Sequence, residues 1–134
     1  GLVGLNSIDF IVAGNNYFVL EINPRPSATL DLYDEDCPGC LLAWHIAACA
    51  GDLTQTPLRA HSLRGHAVVY PQRRGQVAHG FTWPAWCSDH EAPGAALAPQ
   101  APVCMVHATA LAHADTRALL LERRQTVLRA LAVD

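Results

Sequence analysis

Four polar side chains near the start of the chain have the types and spacing to hold a metal ion and a phosphate: Asp9, Glu21, Asn23 and Arg25. Residues 5–13 and 17–23 read as strands, with Gly14, Asn15 and Asn16 supplying turn chemistry between them. Side chains alternate between the two faces of a strand. Ile8, Phe10, Val12, Phe18, Leu20 and Ile22 then make one apolar face, expected to lie on a core. Ser7, Asp9, Ile11, Tyr17, Val19, Glu21 and Asn23 make the other. A three-residue turn at 14–16 sets Ile8 opposite Ile22, Phe10 opposite Leu20, Asp9 opposite Glu21 and Ser7 opposite Asn23. Two carboxylates directly across a ladder repel, and a cation between them removes that cost. Two carboxylates and an amide oxygen suit a hard ion, Mg²⁺ or Mn²⁺, which completes its shell with water and phosphate oxygens. Arg25, bracketed by Pro24 and Pro26, adds a guanidinium of the kind that clamps phosphate. The plainer alternative is two solvent-facing acids on an edge hairpin.

The other elements must support this hairpin. Pro24 and Pro26 end the ladder and force an extended loop. Ser27 can cap a short helix over 28–34. Pro38 suits a helix first turn, and Leu41, Leu42, Trp44, His45, Ile46 and Ala48 continue that helix toward Gly51, a natural residue just past a helix end. Farther on, 66–70 reads as a strand, 73–75 as a turn, 76–81 as a weak returning strand, 83–100 as a Pro/Gly-rich loop and 103–110 as a further strand. Asp115 can cap a last helix with Leu120, Leu121, Val127, Leu128 and Leu131 as its buried stripe. Hairpins in place of βαβ crossovers predict an α+β fold, an antiparallel sheet with helices on one face. The chain reads as a single domain: hairpin and helices in 1–60, and a β-rich extension ending in a helix in 61–134.

Composition narrows the function classes. The chain has 134 residues, 51% of them apolar, which excludes a disordered tail. Nine cations against twelve acids give a net charge of −3, and every cation is Arg. A mildly acidic, lysine-free chain is a poor nucleic-acid binder, because phosphate neutralisation needs clustered cations. It supplies no Schiff-base or P-loop lysine. The uncharged stretch 92–114 is broken by Pro93, Pro99 and Pro102, so no membrane span is expected. Five cysteines at uneven spacing do not form a secreted disulfide framework and suggest reduced thiols in the cytoplasm.

The segment from Asp9-Phe10-Ile11 through the hairpin to Leu20-Glu21-Ile22-Asn23-Pro24-Arg25-Pro26-Ser27 resembles the metal-binding segment of ATP-grasp enzymes. The resemblance is specific over about 30 residues. It implies that Asp9, Glu21 and Asn23 hold the Mg²⁺ ions that bridge the ATP β- and γ-phosphates. Arg25 would lie near the transferred phosphate and acyl substrate, with Ser27 assisting phosphate binding. Trp83-Pro84-Ala85-Trp86, Asp89, Pro93-Gly94 and the strand from Pro102 to Ala108 resemble, more weakly, the tail of small carboxylate–amine ligases such as tyramine–glutamate ligases. The resemblance implies the C-terminal lobe of the ATP-grasp fold in a ligase that makes an amide through an acyl phosphate. Its partners would be ATP, a small carboxylate and an amine. The family's preceding lobe supplies lysines, adenine pocket and glycine-rich lid, so the chain would need such a lobe for turnover. An uncovered surface left by that lobe could drive homo-oligomerisation. The alternative reading is a non-catalytic binding or regulatory module with the same fold.

Other chemistry-bearing residues have plainer readings. Cys37-Pro38-Gly39-Cys40 has redox or metal spacing, but no second pair follows it, and thiols around a helix start are favoured. The seven histidines, His45, His61, His66, His107 and His113 among them, read as packing or surface residues. Trp83 and Trp86 read as an aromatic cover over a satellite core. Asp31, Asp34, Glu35 and Asp36 read as a solvated acidic run at a helix end.

Overall fold

The computed structural model describes residues 1–34, 36–37, 39–52 and 60–133. The protein is α+β, and among the described residues the strand pairs are antiparallel. Among the described residues the strands form three small sheets of two, three and two strands, where one sheet was expected. The chain divides into two compact units, Gly1–His61 and Ser62–Asp134.

The first unit opens with strands β1 (Ser7–Ala13) and β2 (Asn16–Asn23). Their turn has two residues, Gly14 and Asn15, with Gly14 at φ 62°. A positive φ at the first central position is the hairpin geometry that matches strand twist, and glycine reaches it without strain. This turn is one residue shorter than the sequence suggested, and the difference is absorbed inside β2. Ser7, Ile8 and Asp9 pair with Asn23, Ile22 and Glu21 as expected, whereas Phe10 pairs with Val19 and Ile11 with Phe18. Leu20 is therefore the extra residue of a β-bulge, and Phe10 does not face Leu20.

The bulge exchanges faces beyond it. Val19 and Tyr17 join Ile8, Phe10, Val12 and Ile22, and the Phe10 and Tyr17 rings lie 5.6 Å apart. Phe18, opposite Ile11, moves to the face of Asp9 and Glu21. The expected core face is not covered: Ile8, Phe10, Val12 and Ile22 are each about half exposed. A ribbon of only two strands buries little by itself, because packing needs a third strand or a helix laid on it.

Short helix α1 (Asp31–Asp34) follows a turn at 28–30, so the expected helix over 28–34 is regular only in its last four residues. Helix α2 (Leu41–Cys49) starts later than proposed, and Pro38 lies outside the described residues. Asp34 accepts the Leu41 N–H at 2.7 Å, giving the first turn a carboxylate partner from outside the helix. At its end Gly51 takes φ 94°, and the amides of Gly51 and Asp52 return to the carbonyls of Ala48 and Ala47. This is the glycine-terminated ending read from the sequence.

The second unit carries strands β3 (Leu63–Val69), β4 (Gly75–Gln76), β5 (Cys87–Ser88), β6 (Ala96–Leu97) and β7 (Cys104–Ala110), then helix α3 (His113–Ala130). The three-stranded sheet has the order β3-β7-β5, and α3 packs across β3 and β7. Gly65 allows this approach, since a Cβ there would sit 3.0 Å from Leu120. Of the expected return strand over 76–81 only Gln76 lies in a strand, β4, which pairs with β6 instead of β3. The 83–100 segment holds β5 and β6 where only loop was expected. The core is rich in valine: Val69, Val77, Val103, Val106, Val127 and Val133 are all but inaccessible. Trp83 and Trp86 pack against this same core, where a cover over a satellite core was expected. Asp115 lies inside the first turn of α3 and Ala112 holds the cap position without a side-chain bond. Of the proposed stripe, Val127, Leu128 and Leu131 are buried, but Leu121 is 48% exposed. Among the described residues no helix is long and apolar enough to cross a membrane.

Leu128→Ala should cost about 2–5 kcal/mol in denaturant unfolding by opening a core cavity, whereas Leu121→Ala should stay within about 0.5 kcal/mol. Burial pushes the Cys104 thiol up to about 12, and Cys87 beside it adds to the rise. The unfolded thiol ionises near its ordinary value, so the folded state holds the extra proton. Stability should fall as pH rises from about 9 toward 12, and Cys104→Ala should flatten that fall in urea titrations at pH 8 and pH 10.

Candidate functional site

The base of the hairpin gathers the polar residues singled out in the sequence. Asp9 and Glu21 are directly opposed, and the next pair on that face, two residues along each strand, is Ser7 with Asn23. All four lie on the Asn23 side of the Leu20 bulge, so the face exchange toward the tip leaves them together. The Asn23 amide donates to Asp9 Oδ2 at 3.5 Å, a long contact that ties the third donor to the first carboxylate. Rotating that amide would turn its oxygen toward the carboxylates instead. Asp9 and Glu21 stand in solvent, where an arriving cation need displace only water.

Arg25 is held by a tight turn. Its amide donates to the Asn23 carbonyl at 2.8 Å, which fixes the backbone relation between the arginine and the third donor. Its exposed guanidinium makes a 3.4 Å contact with the Pro26 carbonyl. Among the described residues Arg25 forms no ion pair, so four of its five N–H groups remain for an anion. Ser27 differs from expectation. Its hydroxyl pairs with Thr29 at 2.7 Å, and its carbonyl accepts from Leu30. The turn at 28–30 separates it from the first helical residue, so it caps no regular helix. It instead borders a cavity of about 110 Å³ with Leu5, Asn6, Pro26, Leu30 and Tyr33.

The remaining candidates have ordinary roles. Cys37 is a buried thiol outside any disulfide, pushed up by burial, with Asp34 and Cys40 adding to the rise. That is the opposite of an activated thiolate. His45 accepts the Leu5 N–H on Nδ1 at 3.0 Å and meets Cys49 Sγ with Nε2. A Cβ at Gly4 would run into its ring. Trp83 stacks on His90 and donates to the Glu91 carbonyl. Glu35 lies outside the described residues, and Asp34 is engaged by α2.

One grouping was not read from the sequence. His66 on β3 and His107 on β7 are directly opposed, with ring centroids 6.2 Å apart. Ser88 Oγ lies 2.6 Å from His107 Nε2. The two histidines are 41 positions apart, and only the β3–β7 register brings them together.

Comparison with protein-family models, curated proteins and solved structures finds no match for this chain.

Removing one of two opposed like charges should stabilise the ribbon. In metal-free, low-salt buffer, Glu21→Gln should slow hydrogen exchange at the β1–β2 amides by an amount equivalent to about 0.5 kcal/mol. Raising the salt to about 0.5 M should remove most of the difference, because exposed charges are screened over a few ångströms there.

Proposed function

We propose that residues 1–61 form the divalent-metal and phosphate-binding part of an ATP-dependent carboxylate–amine ligase of ATP-grasp type. The observation that carries this reading is the opposition of Asp9 and Glu21 beside Asn23, followed by the turn that fixes Arg25. Three oxygen donors without thiol or imidazole on the same ladder fit Mg²⁺ or Mn²⁺. When bound, such an ion would neutralise charge on the nucleotide phosphates. Asp9 and Glu21 would supply its anionic ligands and Asn23 a neutral one. Arg25 would meet the γ-phosphate oxygens and stabilise charge as the phosphoryl group moves to a carboxylate. The amine would then displace phosphate and leave an amide.

The lysine-free composition supports a division of labour. Groups that cradle the nucleotide would come from elsewhere, and this chain alone would bind without turnover. That point also keeps a second reading in view, a binding module that never turns over.

Calorimetric titration with Mn²⁺ and then Mn²⁺–ADP distinguishes a working site from two idle acids. The wild-type chain should bind Mn²⁺, and Mn²⁺ should strengthen ADP binding. Glu21→Gln should lower Mn²⁺ affinity at least tenfold, and Arg25→Ala should weaken ADP while sparing Mn²⁺. Equal Mn²⁺ binding by wild type and Glu21→Gln would overturn the proposal.

A further inference from the structure

We infer that His66 and His107 form a second metal site, for a borderline ion such as Zn²⁺, on the three-stranded sheet of the 62–134 unit. The two imidazoles project from directly opposed positions of β3 and β7. Their rings meet edge to face at 6.2 Å between centroids, and ligand nitrogens of the two lie within 4.8 Å of one another. A Zn–N bond is about 2.0–2.1 Å, so an ion bound to both requires a nitrogen separation of no more than about 4.2 Å.

The surroundings favour ligation. A metal-bound histidine ordinarily donates its other ring N–H to an outer partner, which fixes tautomer and orientation. Ser88 Oγ, 2.6 Å from His107 Nε2, fits that role. The backbone is also pinned. The His107 amide donates to the Trp86 carbonyl, and the Arg123 guanidinium donates to the His107 carbonyl while lying over the Trp86 ring. A ligand on a clamped strand changes position little between free and bound states. Imidazole selects Zn²⁺, Cu²⁺ or Ni²⁺ over Mg²⁺, so this site and the oxygen-donor hairpin differ in ion preference.

Zn²⁺ is titrated calorimetrically into the full chain carrying Cys37→Ser and Cys40→Ser, which removes the competing thiol pair. One equivalent should bind. His66→Gln and His107→Gln should each weaken binding at least tenfold, and Ser88→Ala by about tenfold. Circular dichroism checks that each variant folds. In parallel, the imidazole C–H resonances of His66 and His107 in the chain with both histidines intact should shift together and saturate at one equivalent. Unchanged resonances, or equal Zn²⁺ affinity in folded histidine variants, would overturn the assignment. Mn²⁺ binding governed by Glu21 is measured separately, so either site can fail without the other.

Discussion

The functional reading depends on one unfavourable contact, two carboxylates facing each other across a β-ladder. Asp9 and Glu21 occupy opposed positions on a two-stranded ribbon. Little else in the ribbon offsets their repulsion, since its apolar side chains are about half exposed. A cross-strand pair of this sort weakens the sheet that holds it, and a bound cation converts the cost into affinity. The amide of Asn23 and the turn-fixed Arg25 extend the polar base from two anions to an acidic, neutral and basic series at Glu21, Asn23 and Arg25. That series suits a metal–phosphate pair better than either ion alone.

The two units solve their packing in different ways. In residues 62–134 a long helix covers two strands, and valines fill the space between. Valine is stiff at χ1 and packs well on a pleated surface, so this core tolerates short strands and long connections. In residues 1–61 individual hydrogen bonds tie the elements: Asp34 to the start of α2, His45 to Leu5, and Asn23 to Arg25. The first unit therefore holds its polar base by specific contacts around a small apolar interior.

Much of the hairpin was legible because its signals are local. The expected three-residue turn at 14–16 places Asp9 opposite Glu21, and the observed two-residue turn reaches the same pair only because the Leu20 bulge adds one residue to β2. The tip was misread because one residue of turn length decides the register, and Gly14, Asn15 and Asn16 permit either length. The later strands were legible only where they are long. Two-residue pairings such as β4 with β6 carry no periodicity, and their partners are set by the fold of the whole unit. Leu121 was assigned to the buried stripe of α3 on spacing alone, but β3 and β7 cover only part of that helix. The histidine pair was hidden for the same reason: opposed positions on strands distant in the chain follow from register, which composition does not encode.

The Leu20 bulge divides the ribbon into two segments with separate bookkeeping of side-chain direction. A one-residue deletion at Leu20 would merge the segments into a regular ladder and leave both ends pointing as they do now. Deletion of Ile22 would instead leave Glu21 opposite Asp9 and turn Asn23 to the other face. Changes of chain length are thus absorbed at a single spot, and evolution or engineering can remodel the tip freely while the acidic end keeps its alignment.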